Sequence, residues 1–206
     1  MVFFVDHFFR DHELIGRLGM EKDDQLHFVD SSSEPEVEHI DAFKAAIVEA
    51  DDRLPCCVVG VGGGATLDTA KAVANLLTNP GKAEDYQGWE LVKHPAVYKI
   101  GIPTLSGTGS ECSRTCVLYQ LPKKLKLGMN SDYTVFDQLL LDPDLLATVP
   151  RDQYFYTGID TFMHCVESLN GSYRNAIIDA FSVRAVQLCE EIFLSDDMMS
   201  EPNRKR

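Results

Sequence analysis

The stretch GVGGGATLDTAK, from Gly60 to Lys71, decides the fold of this chain. It follows the apolar run Cys57–Val59, which is typical of a buried strand, and it leads into a helical pattern over Ala65–Leu77. Glycines at such a turn let the amides that open a helix approach an anion closely. We therefore predict a phosphate-binding turn, although a tight turn without a ligand would use the same residues. The candidate residues are Gly62, Gly63, Gly64 and Asp68.

A second glycine-rich segment, PTLSGTGSE from Pro103 to Glu111, follows the strand-like run Tyr98–Ile102. Ligands of parallel sheets bind outside the carboxyl ends of the strands, so two such turns suggest one extended ligand with phosphates. A dinucleotide is the obvious candidate. The hydroxyl side chains of this segment suit contacts to phosphate or ribose, but turn hydroxyls also bond to the backbone. The candidates are Thr104, Ser106, Thr108 and Ser110.

Asp6 ends the first predicted strand, Val2–Val5. A carboxylate at this position can accept both ribose hydroxyls of an adenosine, and it repels a 2′-phosphate. The position therefore predicts a preference for NAD over NADP. An exposed acid with no ligand is the alternative interpretation.

Alternating apolar runs and helical patterns predict an α/β fold with a parallel, doubly wound sheet. We place a domain boundary near Pro150: residues 1–150 form a dinucleotide-binding α/β domain, and residues 151–206 begin a helical domain. The predicted elements besides those already named are a strand at Leu26–Val29 and helices at Asp11–Leu18 with Asp11 as N-cap, Pro35–Ala50, Arg151–Leu169 and Asn175–Leu194.

Asp160 and His164 lie four residues apart in the segment Thr157–Glu167, which we interpret as the start of a helix. This spacing puts both side chains on one helix face. A carboxylate and an imidazole together suit a divalent transition metal. The alternative is an N-cap aspartate and an ordinary surface or core histidine.

Taken together, the three segments resemble the iron-containing alcohol dehydrogenase family, in the family's order, from about Phe3 to Leu188. The resemblance implies a dehydroquinate synthase-like fold, with a nucleotide-binding domain and an all-α metal-binding domain. It also implies that both glycine turns hold NAD or, less readily, NADP, with Lys126 near the ribose. Asp160 and His164 would be the first two of four ligands to Fe or Zn, which would assist hydride transfer from an alcohol.

The family's two remaining metal ligands are histidines, and none of the six histidines follows His164. We therefore expect two further ligands beyond Arg206, in a longer protein, and weak metal binding by these residues alone.

Three stretches resemble a subgroup of the family that acts on sugar acids of bacterial lipopolysaccharide; they are Lys82–Trp89, Leu127–Gln138 and Val149–Tyr154. Arg114 and Lys126 could pair with the carboxylate of such a substrate. Three alternatives stay open: a generic iron-type alcohol dehydrogenase, a lyase of the dehydroquinate synthase kind, and a non-catalytic fragment that binds nucleotide.

The net charge of −13, from 19 basic and 32 acidic residues, argues against nucleic-acid and anionic-membrane partners. The chain has no apolar run of membrane-spanning length. Its six cysteines lack the spacing of a small secreted domain and are interpreted as reduced thiols, with a metal or redox pair at Cys112 and Cys116 as the alternative. We expect a cytoplasmic enzyme that acts on a small alcohol or sugar acid, and a homodimer is one assembly that stays open.

Overall fold

The structure is a computed structural model that describes all residues from Met1 to Arg206. The strands are β1 (Val2–Asp6), β2 (Gln25–Val29), β3 (Val58–Gly62), β4 (Gly88–Trp89), β5 (Lys99–Pro103), β6 (Thr115–Gln120), β7 (Leu125–Asn130) and β8 (Gln138–Leu139). The helices are α1 (Leu14–Arg17), α2 (Val37–Ala50), α3 (Gly64–Thr78), α4 (Arg151–Asn170), α5 (Ala176–Phe193) and α6 (Glu201–Arg204). None of these helices is long and apolar enough to cross a membrane.

The chain divides into two compact units that are interleaved in sequence. The first unit contains Met1–Pro103 and Ser110–Leu141. The second unit contains Thr104–Gly109 and Asp142–Arg206.

A five-stranded parallel sheet forms the centre of the first unit, in the order β2-β1-β3-β5-β8. This arrangement confirms the predicted doubly wound sheet. Val5 of β1 is level with Val61 of β3, and Gly62 is level with Pro103 of β5. The ends of three neighbouring strands therefore meet at one edge, which is the edge where such sheets bind ligands.

The core of the first unit surrounds β3, all five residues of which are buried. A central parallel strand is covered on both faces, so it carries a continuous apolar run rather than an alternating one. Helix α3 packs against β3 and buries Leu67, Val73 and Leu76. Helix α2 contributes Val37, Ile40 and Ile47 at helical spacing.

A second sheet of three strands, in the order β4-β7-β6, was not predicted. Strands β6 and β7 form an antiparallel hairpin, and β4 pairs with β7 in parallel. Side chains of β6 alternate between buried and half-buried positions, whereas the first half of β7 is exposed. Apolar side chains alternate along β7, but Leu125 and Leu127 are exposed and only Met129 is in the core, so the strand does not carry the continuous apolar run of the parallel sheet.

The predicted helix at Asp11–Leu18 is wrong in extent and in its cap. The structure has a 3₁₀ turn at His7–Phe9 and then the single turn of α1, which begins at Leu14. Asp11 caps neither. The capping carboxylate is that of Asp6, which accepts a hydrogen bond from the Phe8 amide.

The two predicted long helices are confirmed as α4 and α5. Thr157 lies in the second turn of α4 rather than at its start, because the helix already begins at Arg151. Asn175 caps α5 by accepting hydrogen bonds from the amides of Ile177 and Ile178.

The packing of α4 on α5 is closest at Gly158. A Cβ atom placed at this glycine would lie 1.9 Å from Cζ of Phe193 on α5. The ring of Phe193 is itself held between Tyr154 and Phe155, with ring centroids 5.5 Å and 5.9 Å away. Gly158 therefore allows the Phe193 ring to seat directly on the α4 backbone.

Candidate functional site

The first glycine turn leaves the first amides of α3 without a side-chain cap. The helix begins at Gly64, and its N-cap residue, Gly63, provides no side-chain hydrogen bond to the first amides. These amides have no partner within a helix and attract anions. In the same turn, the Thr66 hydroxyl is buried and has no hydrogen-bond partner in the protein. The residues present therefore fit a phosphate group, which would satisfy orphaned donors.

Gly62 allows the helix to start directly above the strand. A Cβ atom at this position would lie 2.6 Å from Cβ and 2.7 Å from Oγ1 of Thr66. Such contacts essentially never occur between real side chains, and Thr66 Cβ cannot rotate away because it is fixed to the helix backbone. A glycine is therefore required at this point.

Asp6 stands at the end of β1, beside the strand that leads into the glycine turn. Its Oδ1 accepts a hydrogen bond of 2.9 Å from the Phe8 amide. This bond fixes the carboxylate at the carboxyl edge of the sheet, and the side chain stays half-exposed. An anchored, accessible carboxylate is suited to accept hydroxyl groups of a ribose.

Asp68 serves mainly to hold a neighbouring segment of protein. Its Oδ1 accepts a 2.5 Å hydrogen bond from the Ser110 hydroxyl, and its Oδ2 accepts a 2.8 Å hydrogen bond from the Val117 amide. Its Oδ1 also lies 3.1 Å from Nζ of Lys71. Two predicted site residues, Asp68 and Ser110, are thus joined directly to each other. Lys71 was not identified as a candidate from the sequence, although its spacing of three residues from Asp68 allows an ion pair on one helix face.

Lys126 lies in the second sheet, on β7, and not in the parallel sheet that carries Asp6 and the first glycine turn. Its Nζ pairs with Oε1 of Glu34 at 2.6 Å. Arg114 is engaged similarly, because Glu90 and Asp132 both pair with its guanidinium. Both cations are therefore already bound to acidic side chains of the protein.

The remaining residues of the second glycine segment belong to the second unit. Thr104 is buried, while Ser106 and Thr108 are exposed. Gly107 has a φ of +142°, and a Cβ atom there would lie 2.3 Å from the carbonyl oxygen of Thr157 on α4. The Gly107 carbonyl also lies 3.3 Å from the Thr161 hydroxyl. The structure thus seats this loop on the helix that carries Asp160 and His164.

Asp160 and His164 face each other on α4. The distance from His164 Nε2 to Asp160 Oδ1 is 3.6 Å, and both side chains are about half-exposed. Two donors that each lie about 2.0–2.2 Å from one zinc ion are at most about 4.4 Å apart, so this pair can share an ion without rearrangement of the helix. Glu167 Oε2 lies 3.7 Å from the other ring nitrogen of His164, where a carboxylate commonly orients a ligating imidazole. No group of three or more such side chains converges in the structure.

The cysteines show no metal or redox pair. Cys112 is exposed whereas Cys116 is in the core, and all six cysteines are free thiols. Burial, together with the nearby Asp68 carboxylate, raises the pKa of Cys116. Partial desolvation of the Cys112 thiol, together with the neighbouring Glu111 carboxylate, raises the pKa of Cys112. In the absence of a metal ion, these shifts favour the neutral thiol form of both groups, which is a poor nucleophile.

Comparison with known proteins identifies a family and several relatives that are similar to this chain. The model of the family described as iron-containing alcohol dehydrogenase matches residues 9–143. A sulfoacetaldehyde reductase of Bilophila wadsworthia is 40% identical over 131 residues, which are 64% of this chain and 34% of that protein. An NAD-dependent methanol dehydrogenase of Bacillus methanolicus is 31% identical over 154 residues, which are 75% of this chain and 39% of that protein.

A solved structure of sulfoacetaldehyde reductase from Bifidobacterium kashiwanohense, in complex with NAD⁺, superimposes with a TM-score of 0.84 at 25% identity. The match covers 99% of this chain and 55% of that one, so this chain spans about half of the solved structure and less of the curated relatives. The fold is therefore dehydroquinate synthase-like, as expected. Because the family model covers well over half of the chain, this protein belongs to the iron-containing alcohol dehydrogenase family.

Proposed function

We propose that this chain is the nucleotide-binding part, and the first metal-binding part, of an oxidoreductase that interconverts a primary alcohol and its aldehyde with NAD. The observation that carries the proposal is the uncapped start of α3, which adjoins the end of the strand beside Asp6. Helix amides would bind the pyrophosphate, and the carboxylate would bind the adenosine ribose. Titration of the chain with NAD by isothermal calorimetry tests this, and absence of binding would contradict it.

The second glycine segment would also contact the dinucleotide. Thr104, Ser106 and Thr108 would offer hydroxyl groups to the second ribose. Support comes from the loop's contact with α4, the helix that carries Asp160 and His164. Lys126 has no such support, since Glu34 already neutralises its charge.

Asp160 and His164 would hold a divalent metal, Fe or Zn, and Glu167 would orient the imidazole of His164. When bound, such a metal supplies a Lewis acid for the substrate oxygen, as NAD supplies a hydride acceptor. The protein's own contribution would be to keep the carboxylate and the imidazole on one helix face, 3.6 Å apart.

For the substrate, the resemblance of three stretches favours 3-deoxy-D-manno-octulosonate, oxidised at the hydroxyl of carbon 8 in lipopolysaccharide sugar biosynthesis, as by the bacterial 8-oxidase of that sugar acid. A substrate carboxylate would compete with Glu90 for Arg114 and with Glu34 for Lys126, in ion pairs that are exposed and therefore weak. The relative that reduces sulfoacetaldehyde supports a generic alternative with a small anionic aldehyde. Assays of both substrates and of short alcohols, on protein that contains the complete set of metal ligands, separate these possibilities. Nucleotide binding by that protein without turnover would favour the non-catalytic alternative.

Replacement of Asp6 by serine should relax the preference for NAD over NADP. Serine can still cap the His7–Phe9 turn, so the fold is kept while the charge is removed. Loss of a charge-assisted hydrogen bond, worth about 1.5–3 kcal/mol, should weaken NAD binding by about tenfold or more. NADP binding should improve because repulsion of its 2′-phosphate ends. Calorimetric titration with both nucleotides measures these affinities, and Asp6→Asn is a second variant without the charge. If the wild type binds NADP more tightly than NAD, the role of Asp6 is contradicted.

Replacement of His164 by alanine should weaken metal binding by α4. We expect weak Zn²⁺ binding by the 206-residue chain and at least about tenfold weaker binding by His164→Ala, because even orienting residues of metal sites contribute that much. The matched control is His39→Ala, since His39 is an exposed helical histidine 3.9 Å from Glu36. Competition with a zinc-binding dye measures the affinities. Equal losses in the two variants would refute the assignment.

A further inference from the structure

Lys71 is completely buried in the first unit although it carries a charge. Lysine is almost never fully buried unless its ammonium group is paired. Its Nζ donates hydrogen bonds to the carbonyl oxygen of Ser110 at 2.8 Å, to the hydroxyl of Ser113 at 3.2 Å and to the carbonyl oxygen of Thr115. The side chain of Asp68 balances the charge. One ammonium group thus holds three oxygen atoms of the segment that follows the second glycine loop.

Ser110 is the residue that this ion pair holds most completely. Its hydroxyl donates to Asp68, and its carbonyl accepts from Lys71. It is also the residue at which the second glycine loop ends. The loop leaves the sheet at Pro103, which is paired with Gly62. Both ends of the loop are therefore attached to the strand and the helix that flank the first glycine turn.

We propose that the Asp68–Lys71 pair is a positioning device for the dinucleotide: it fixes Ser110, in the second glycine segment, to the helix whose N-terminus binds the pyrophosphate. The inference rests on the proposed function. Lys71 is too deeply buried to be a general surface cation for the ligand, so it acts through Ser110 and the loop. Its effect should therefore fall on the part of NAD that the loop contacts.

We infer that the charged ammonium group of Lys71 serves to fix the positions of its oxygen acceptors rather than to stabilise the fold. Buried ion pairs can often be replaced by apolar side chains of similar volume without loss of stability. An apolar side chain would fill the same space, but it could not hold three oxygen acceptors in a fixed arrangement. This difference separates a positioning role from a purely structural one.

The test uses the full chain and compares NAD with ADP. ADP contains the adenosine and pyrophosphate groups assigned to Asp6 and α3, whereas NAD adds the half assigned to the loop. In Lys71→Met we expect NAD binding to weaken about tenfold, because small displacements of positioning groups are costly, while ADP binding changes less than about threefold. Asp68→Asn should act in the same direction. The control is Lys44→Met, since Lys44 also donates to two backbone carbonyls, those of Asn79 and Gly81.

Each outcome decides the matter. Wild type that binds neither nucleotide overturns the proposed function itself. Wild type that binds both, with unchanged NAD binding in Lys71→Met, overturns the positioning role alone. Equal weakening of ADP and NAD binding also overturns the positioning role, because the defect is then general.

If Lys71→Met lacks a thermal unfolding transition, the variant Ser113→Ala replaces it. This variant removes one hydrogen-bond partner of Lys71 and leaves the Asp68–Lys71 ion pair intact. We then expect about threefold weaker NAD binding with ADP unchanged, and no change would refute the role.

Discussion

Alanine at Gly62 should abolish dinucleotide binding. The new Cβ atom would overlap Thr66 at 2.6 Å, so the first turn of α3 must move away from the end of β3. The helix amides would then no longer converge on the phosphate. Loss of two such hydrogen bonds, each worth about 1.5–3 kcal/mol with a charged partner, lowers the NAD affinity by roughly a hundredfold or more. Calorimetric titration with NAD measures the loss.

The control for this variant is Gly16→Ala. Gly16 lies in α1, and a Cβ atom there meets nothing within 4 Å. The change should leave NAD binding intact and stabilise the helix by up to about 1 kcal/mol. Thermal unfolding of both variants shows whether Gly62→Ala is still folded. A folded Gly62→Ala protein with wild-type NAD affinity would mean that the phosphate site lies elsewhere.

Alanine at Gly158 should destabilise the second unit. A Cβ atom 1.9 Å from the Phe193 ring cannot be accommodated by a small shift, because Tyr154 and Phe155 hold that ring in place. Overpacking of this kind typically costs about 1–3 kcal/mol. For a chain of this size, the cost corresponds to roughly 2–4 °C in Tm for each kcal/mol. Differential scanning calorimetry measures the shift.

A second substitution makes this prediction specific. Phe193→Leu removes the ring atoms that would clash, so it should cost stability in the wild type and restore part of it in the Gly158→Ala background. The two changes should therefore couple strongly in a double-mutant cycle. Strict additivity of the two effects would mean that the Gly158–Phe193 contact does not limit the packing of α4 on α5.

The parallel sheet and the long helices could be predicted because their signals are local. Buried strands such as β3 are continuous apolar runs, and the glycine turn marks where α3 begins. Gly158 lies within the predicted helical segment Thr157–Glu167, where a glycine has no evident local role. Its physical reason depends on Phe193, which is thirty-five residues later in the sequence and is brought to it by the packing of two helices. No local pattern could reveal that contact.

The candidate site was predicted as a set of residues but not as a network. Asp68 was expected beside the cofactor turn, but its hydrogen bonds to Ser110 and Val117 were not. The bond to Val117 depends on the β6–β7 hairpin, which the sequence did not indicate. Lys71 was overlooked because a lysine on a helix is normally solvated. Its burial results from the oxygen atoms that the chain presents more than thirty residues later.

The interleaving of the two units limits how this protein can be dissected. Because Thr104–Gly109 belongs to the unit that otherwise begins at Asp142, no single cut of the polypeptide separates the two units cleanly. A shortened protein that ends near Pro150 would keep this loop without the Thr157 backbone against which Gly107 packs. The complementary helical piece would lose the same contact. Truncation would therefore disturb both products, and point substitutions are the appropriate way to separate the roles of the two units.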